Sequence, residues 1–299
     1  MSTVPGHLRG LVDDAAVFPP GNASLDSALG AHLGHLTAPY ADLVGPLVVG
    51  DAMLPDLASM VTADLVGPTD RHALPVVVVV GGGAGALRPA VSWATRGDRL
   101  ELRGLETAMR ESDAGDLAPN ARRIVAAVDA LVAAGELDDE VPVYVEPPRL
   151  HDAGPTASWL AALDEVAAMD HRLKLRTGGV DADAFPSSTE LATCIAAALD
   201  REIAFKCTAG LHRALRHRDP ETGFEHHGFL NVLLATRASL DGAGPDDVAA
   251  VLEERDDATL LGGTDDAGLT GARRWFTSFG SCSVLEPLED LRDLGMVPR

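Results

Sequence analysis

The sequence predicts an α/β protein folded as a single (β/α)8 barrel domain over residues 1–299, with an extended segment after the seventh strand. Three observations point there. Short β-branched runs alternate with longer Ala/Leu-rich stretches, the pattern of a parallel sheet with crossover helices. The run at 74–80, LPVVVVV, is apolar throughout, as a strand buried on both faces requires. The alternation repeats eight times without a linker, internal repeat or low-complexity tract, and eight such units close a barrel. An open doubly wound sheet is the alternative.

The strands are expected at 11–18, 43–50, 74–80, 100–106, 141–146, 172–177, 203–208 and 278–284. Pro147 and Pro148 stop the fifth, Gly178 and Gly179 the sixth, and Gly210 the seventh. Helices are expected from Ser24 as N-cap to about 35, and at 54–62, up to 96 after the 81–85 glycine turn, 119–134, 156–169, 187–199, 228–240, 245–254 and 287–294. Ser187 with Glu190 three residues on has the form of a capping box. A polar loop follows the fourth strand. The stretch 212–225 is charged, aperiodic and long for a βα loop, and reads as a lid.

Composition narrows the function. The length suits one barrel, and a chain of this size buries a full core. With aromatics at 4%, that core is built from Ala, Val and Leu. The net charge of −21 argues against a nucleic-acid face. No run approaches the ~18 apolar residues of a membrane span, and the N-terminus has no signal-peptide pattern. Cys194, Cys207 and Cys282 are odd in number and without CxxC spacing, fitting a reducing, cytoplasmic setting. The expected partner is a small molecule; a homo-oligomer stays open.

Of 24 basic residues only two are lysine, Lys174 and Lys206. Arg stays protonated, whereas a buried Lys can lose its proton and act as a nucleophile. Alternation along the sixth strand puts Lys174 and Arg176 on one face and Leu173 and Leu175 on the other. The seventh groups Ala204, Lys206 and Thr208 against Ile203, Phe205 and Cys207; the fifth groups Tyr144 with Glu146; the fourth puts Glu106 with Gly104. The polar sets are expected inside, near the C-terminal mouth where barrel enzymes keep their sites. Asp13 or Asp14, ending the first strand, reaches the same cavity or caps the next turn. A buried ion-pair network serving structure alone, or surface placement of both lysines, are the competing readings.

A lysine beside a second cation in a partly dry pocket gives up its proton more readily and can form a Schiff base. Carboxylates nearby can move the protons of carbinolamine formation and C–C cleavage. Residues 173–179, Leu-Lys-Leu-Arg-Thr-Gly-Gly, resemble the Lys-Thr-Ser-Thr-Gly strand of the deoxyribose-phosphate aldolase family. Residues 205–210, Phe-Lys-Cys-Thr-Ala-Gly, resemble its Phe-Lys-Pro-Ala-Gly-Gly strand, at a similar lysine separation. Weaker similarities run through Val12–Ala15, Tyr144–Glu146 and Phe279–Ser283, the last resembling the family's Gly-Thr-Ser-Ser phosphate loop. The sequence departs at Arg176, where the family has a small hydroxyl residue, and at Cys207, where it has Pro. The acidic strand 102–106 carries Glu106 and no Asp, and the segment after the seventh strand is longer. The resemblance implies a class I aldolase barrel with Lys174 as the Schiff-base lysine.

The expected catalytic set is Lys174, Lys206, Glu146, Glu106, His212 and Asp14. Arg176, Tyr144, Thr208, Gly179, Gly210, Gly280 and Ser281 are expected to bind a small anionic, possibly phosphorylated, carbonyl substrate of carbohydrate or keto-acid metabolism. No cofactor is expected. The alternative is a divalent metal held by Glu106, Glu146 and His212 in a metal-dependent lyase, isomerase or epimerase, with Lys as general base. His212, His217, His226 and His227 cluster after the seventh strand but lack a ligand spacing such as HExxH. Gly81–Gly85 reads as a tight turn rather than a nucleotide loop. A non-enzymatic module for an anionic metabolite is the third reading.

Overall fold

The computed structural model describes residues 4–62, 65, 72–110, 116–151, 154–262 and 264–299. Eight parallel strands close a barrel: β1 (Val12–Asp14), β2 (Val44–Gly50), β3 (Leu74–Val80), β4 (Leu100–Ala108), β5 (Val143–Glu146), β6 (Arg172–Arg176), β7 (Phe205–Thr208) and β10 (Phe276–Ser281). β10 closes the ring between β7 and β1, pairing Asp13 with Gly280 and Gly280 with Thr208. The barrel is therefore the observed fold, and the open sheet is ruled out.

The helices are α1 (Leu25–Leu36), α2 (Leu54–Met60), α3 (Leu87–Ala94), α4 (Ala118–Ala133), α5 (Ala157–Ala167), α6 (Ser188–Leu199), α7 (Phe229–Leu240), α8 (Pro245–Glu253), α9 (Asp257–Leu261), α10 (Asp266–Arg273) and α11 (Leu285–Asp293). None of these described helices is long and apolar enough to cross a membrane. Part of the polar loop expected after β4 lies outside the described residues.

Strand alternation places the core as expected. Leu173, Leu175, Phe205 and Cys207 are buried against the helices, and Phe229 of α7 stacks on Phe279 of β10 at 4.9 Å between ring centroids. Aromatic pairs at this spacing add to the gain from area burial alone. Ser187 caps α6 by accepting from the Glu190 N–H at 3.1 Å. The Glu190 side chain does not complete the box; it turns to Arg149 and the Leu150 N–H.

Three expectations shift. β1 is three residues long, because the chain leaves the barrel after Asp14. β10 starts at Phe276 rather than 278, with a register break between Phe276 and Phe279. Helices α9 and α10 fill the stretch before it, each opened by an aspartate: Asp256 accepts from the Thr259 N–H and Asp265 from the Gly268 N–H. The lid segment folds as a hairpin of β8 (His217–Arg218) and β9 (Glu225–His226). His226 Nδ1 lies 3.1 Å from the Gly210 carbonyl, and its ring packs 4.4 Å from Phe185, fastening the hairpin to the loops after β6 and β7.

Candidate active site

The interior faces of six strands place a chain of alternating charges along the barrel axis. Arg176 Nε donates to Glu146 Oε1 at 2.8 Å, and Glu146 Oε2 lies 3.3 Å from Lys174 Nζ. Lys174 Nζ sits 2.7 Å from one oxygen of Glu106, whose other oxygen is 2.6 Å from Lys206 Nζ. Lys206 Nζ reaches Asp13 Oδ2 at 2.5 Å, and Asp13 accepts from Ser278 Oγ at 2.8 Å. β6 and β7 are in register with Lys174 opposite Lys206, so Glu106 of β4 bridges both ammonium groups from across the lumen. Three cations and three anions cancel, which is how charges this deeply buried are tolerated.

The electrostatics follow from that packing. Burial alone pushes the Glu106 carboxyl up, but Lys174 and Lys206 outweigh it and hold it down at about 2, against an ordinary 4.5. Burial opposes the charged form of Lys206 as well, and there Asp13 and Glu106 win, raising it so that it stays an ammonium.

The two lysines differ in access. Lys174 lines a cavity of about 190 Å³ at the C-terminal mouth, with Glu106, Arg176, Thr208 and His212. Lys206 is 1% exposed and does not line that cavity. Gly179 and Gly280 are in the wall, beside Ala209, a non-glycine residue at φ +61°. Backbone held in that region persists only where its surroundings enforce it; here Thr177 Oγ1 donates to the Ala209 carbonyl at 2.5 Å. His212 Nδ1 is 2.8 Å from Glu286 Oε2, and Cys282 Sγ lies 3.7 Å from both ring nitrogens. Burial pushes that thiol up to about 11.

Four expected site residues fall elsewhere. Asp14 points outward, its Oδ2 3.0 Å from His32 Nδ1 of α1, and Asp13 takes the interior position instead. Room for Asp13 comes from Gly45, where a Cβ would fall 2.2 Å from Asp13 Oδ1. Tyr144 is interior but below the lysines; its hydroxyl meets Arg172 and Thr277. Gly210, at φ +76°, packs its backbone against Gly178. The Ser281 hydroxyl turns back to the Ser283 carbonyl. Sequence reasoning did not assign Cys282 and Glu286 to the site; they lie just past the observed end of β10 at Ser281.

The residues considered for a metal are engaged otherwise. Glu106 and Glu146 are spent on cations, His212 on Glu286, and His227 on Arg216 and the Pro186 carbonyl. Among the described residues no three His, Cys, Asp or Glu side chains are grouped to hold an ion. A larger cleft of about 750 Å³ lies among α7, α8, α9 and α10, away from both lysines.

No family model matches the chain. No curated protein matches it either. Among solved structures it is similar to a monomeric dihydrodipicolinate synthase variant, at 13% identity and a TM-score of 0.37, over 90% of this chain and 96% of that one. It is also similar to dihydrodipicolinate synthase from Thermotoga maritima, at 13% identity and a TM-score of 0.34, over 97% and 100%.

Proposed function

We propose that the protein is a Schiff-base-forming carbon–carbon lyase of the class I aldolase type, acting without a cofactor on a small anionic carbonyl compound. The observation that carries this reading is the placement of the chain's only two lysines on one buried carboxylate, with Lys174 alone open to the mouth. A fold needing only internal ion pairs could use arginine, as this chain does everywhere else. The deoxyribose-phosphate aldolase resemblance of the two lysine strands agrees with the assignment.

In this reading Lys174 Nζ first passes a proton to Glu146, and the resulting amine attacks the substrate carbonyl carbon. The carbonyl oxygen leaves as water, and a carbon–nitrogen double bond forms, which is protonated to the iminium. A carboxylate takes the proton of the substrate's β-hydroxyl, the electron pair of the α–β carbon–carbon bond flows into the iminium, and an enamine and a released carbonyl fragment result. Reprotonation of the enamine carbon and hydrolysis return the amine and the second product. Glu146, 3.3 Å from Lys174, carries the protons, with His212 as the second acid/base group at the mouth. Glu106 is too strongly held in its ionised form to shuttle protons at neutral pH; it positions both lysines. Lys206 is the fixed neighbouring cation, and Asp13 holds it. Arg176 with Thr208, Gly179 and Gly280 receives the anionic group of the substrate.

The test is borohydride reduction of the protein incubated with a panel of small aldehydes, ketones and keto acids, followed by peptide mass mapping. A reduced adduct on Lys174, absent from Lys206 and lost in Lys174→Met, is expected. A folded protein giving no adduct at Lys174 with any carbonyl refutes the reading.

A further inference from the structure

At the N-terminal pole of the barrel a second chamber of about 360 Å³ opens among the starts of the strands. Arg103, Arg172, Tyr144 and Thr277 line it, and Lys206 with Asp13 closes its inner end. Barrels ordinarily fill this layer with branched apolar side chains, which stabilise without a desolvation cost. Here the layer is hollow and polar. Its volume lies within the ~300–1,000 Å³ typical of ligand pockets.

Charge bookkeeping shows what is missing from it. Lys174, Lys206 and Arg176 are balanced by Asp13, Glu106 and Glu146. At the chamber's edge Arg103 has Glu101 at 3.2 Å. Arg172 is left over. It is half-buried, it is not in ion-pair contact with any carboxylate among the described residues, and it donates instead to the neutral Tyr144 hydroxyl at 3.1 Å. Other partly buried arginines are provided for: Arg149 by Glu190, Arg216 by Glu253, and Arg273 by four backbone carbonyls. Arg292 is also half-buried without a carboxylate among the described residues, but it lies over the Tyr40 ring and donates to the Pro298 carbonyl, whereas Arg172 lines a chamber. The Tyr144 hydroxyl adds a neutral hydrogen-bonding group beside it, whereas the Thr277 hydroxyl donates to the Phe205 carbonyl at 3.1 Å. An arginine fork suits oxyanions, and only one of its five N–H donors is engaged by Tyr144.

We propose that this lower chamber is a second binding site, separate from the catalytic mouth, for a small oxyanion (a carboxylate or a phosphate) held by Arg172 with the hydroxyl of Tyr144. The ligand sits beside the Lys206–Asp13 pair, on the side of it away from Lys174. It therefore acts on the interior charge chain without touching the reacting atoms. The site is independent of the Schiff-base reading.

The experiment is isothermal titration of the full chain with inorganic phosphate and, separately, with succinate, in wild type, Arg172→Gln, Arg176→Gln and Tyr144→Phe. Saturable binding is expected with at least one probe, and which probe binds tells a tetrahedral from a planar anion. Affinity is expected to fall about tenfold or more in Arg172→Gln, as the loss of a charge-assisted bond implies, and to stay unchanged in Arg176→Gln. Binding lost in Arg176→Gln but kept in Arg172→Gln places the anion at the mouth and overturns the proposal, as does no saturable binding to folded wild type. Should Arg172→Gln fail to fold, Tyr144→Phe decides: weaker binding supports the site, and unchanged affinity overturns it.

Discussion

Replacing Glu106 by Gln tests the interior charge chain at its centre. The substitution keeps the shape and removes the anion shared by Lys174 and Lys206, 2.7 and 2.6 Å away. The carboxyl is held at about 2 rather than 4.5. A displacement of roughly 2.5 pH units at 1.36 kcal/mol each corresponds to about 3 kcal/mol of folding stability. That agrees with the ~3–5 kcal/mol seen when one partner is removed from a buried ion pair. The sign follows from linkage: a carboxyl whose folded value is depressed contributes its full stability above its unfolded value and loses it as pH falls through its folded value. The advantage of wild type over Glu106→Gln is therefore expected to be constant above pH 4.5 and to shrink between about 4.5 and 2. The assay is urea unfolding of both proteins across that range. Equal stability at pH 7, or a difference indifferent to acid, would refute the assignment of Glu106 as the ionised bridge.

Lys206→Met keeps most of the side chain but strands the Asp13 carboxylate and leaves Glu106 with Lys174 alone; it is expected to cost about 3–5 kcal/mol at pH 7, with Asp13→Asn recovering part of the loss. A double-mutant cycle from urea unfolding measures the coupling, and a coupling of zero would show that the pair does not interact as described. Gly45→Ala drives a Cβ into Asp13 Oδ1 and is expected to cost about 1–3 kcal/mol by overpacking. In an Asp13→Ala background the same change becomes nearly neutral, and an equal cost in both backgrounds would move the cause away from Asp13.

Much of this was legible because strand alternation and residue chemistry agree. LPVVVVV matched β3 to the residue, and the greasy and polar faces of β6 and β7 sorted Lys174 and Lys206 inward. What was not legible depended on contacts between strands. Asp13 and Asp14 are adjacent, and only the partners decide which points inward: Lys206 on one side, His32 of α1 on the other. Gly45 carried the signal, since it clears space for Asp13, but a glycine in a strand does not name its neighbour. β10 was placed two residues late because the register break separating Phe276 from Phe279 disrupts period-two alternation. The expected strand at 278–284 also took Cys282 as a strand residue, whereas the strand ends at Ser281 and Cys282 and Glu286 lie beyond it. Gly268 and Gly271 masked α10, whose start rests on the Asp265 cap.

The two lysines hold different offices although they share one carboxylate. Lys206 is enclosed between Asp13 and Glu106, and both neighbours favour its charged form. Its usefulness is as a compact charge: an ammonium presents three donors at one point, whereas a guanidinium is a wide planar fork that the approach between β1, β4 and β7 would have to widen to admit. Lys174 faces Glu106 on one side and open cavity on the other. Under the proposed function its requirement is chemical, because an imine needs an amine that can be neutral and an arginine cannot supply one. One carboxylate serving both positions explains why a chain that otherwise uses arginine keeps lysine at two points facing each other across adjacent strands. Under the proposed function Glu106, held toward its ionised form by both lysines, serves as a fixed anion, and proton movement falls to the less buried Glu146.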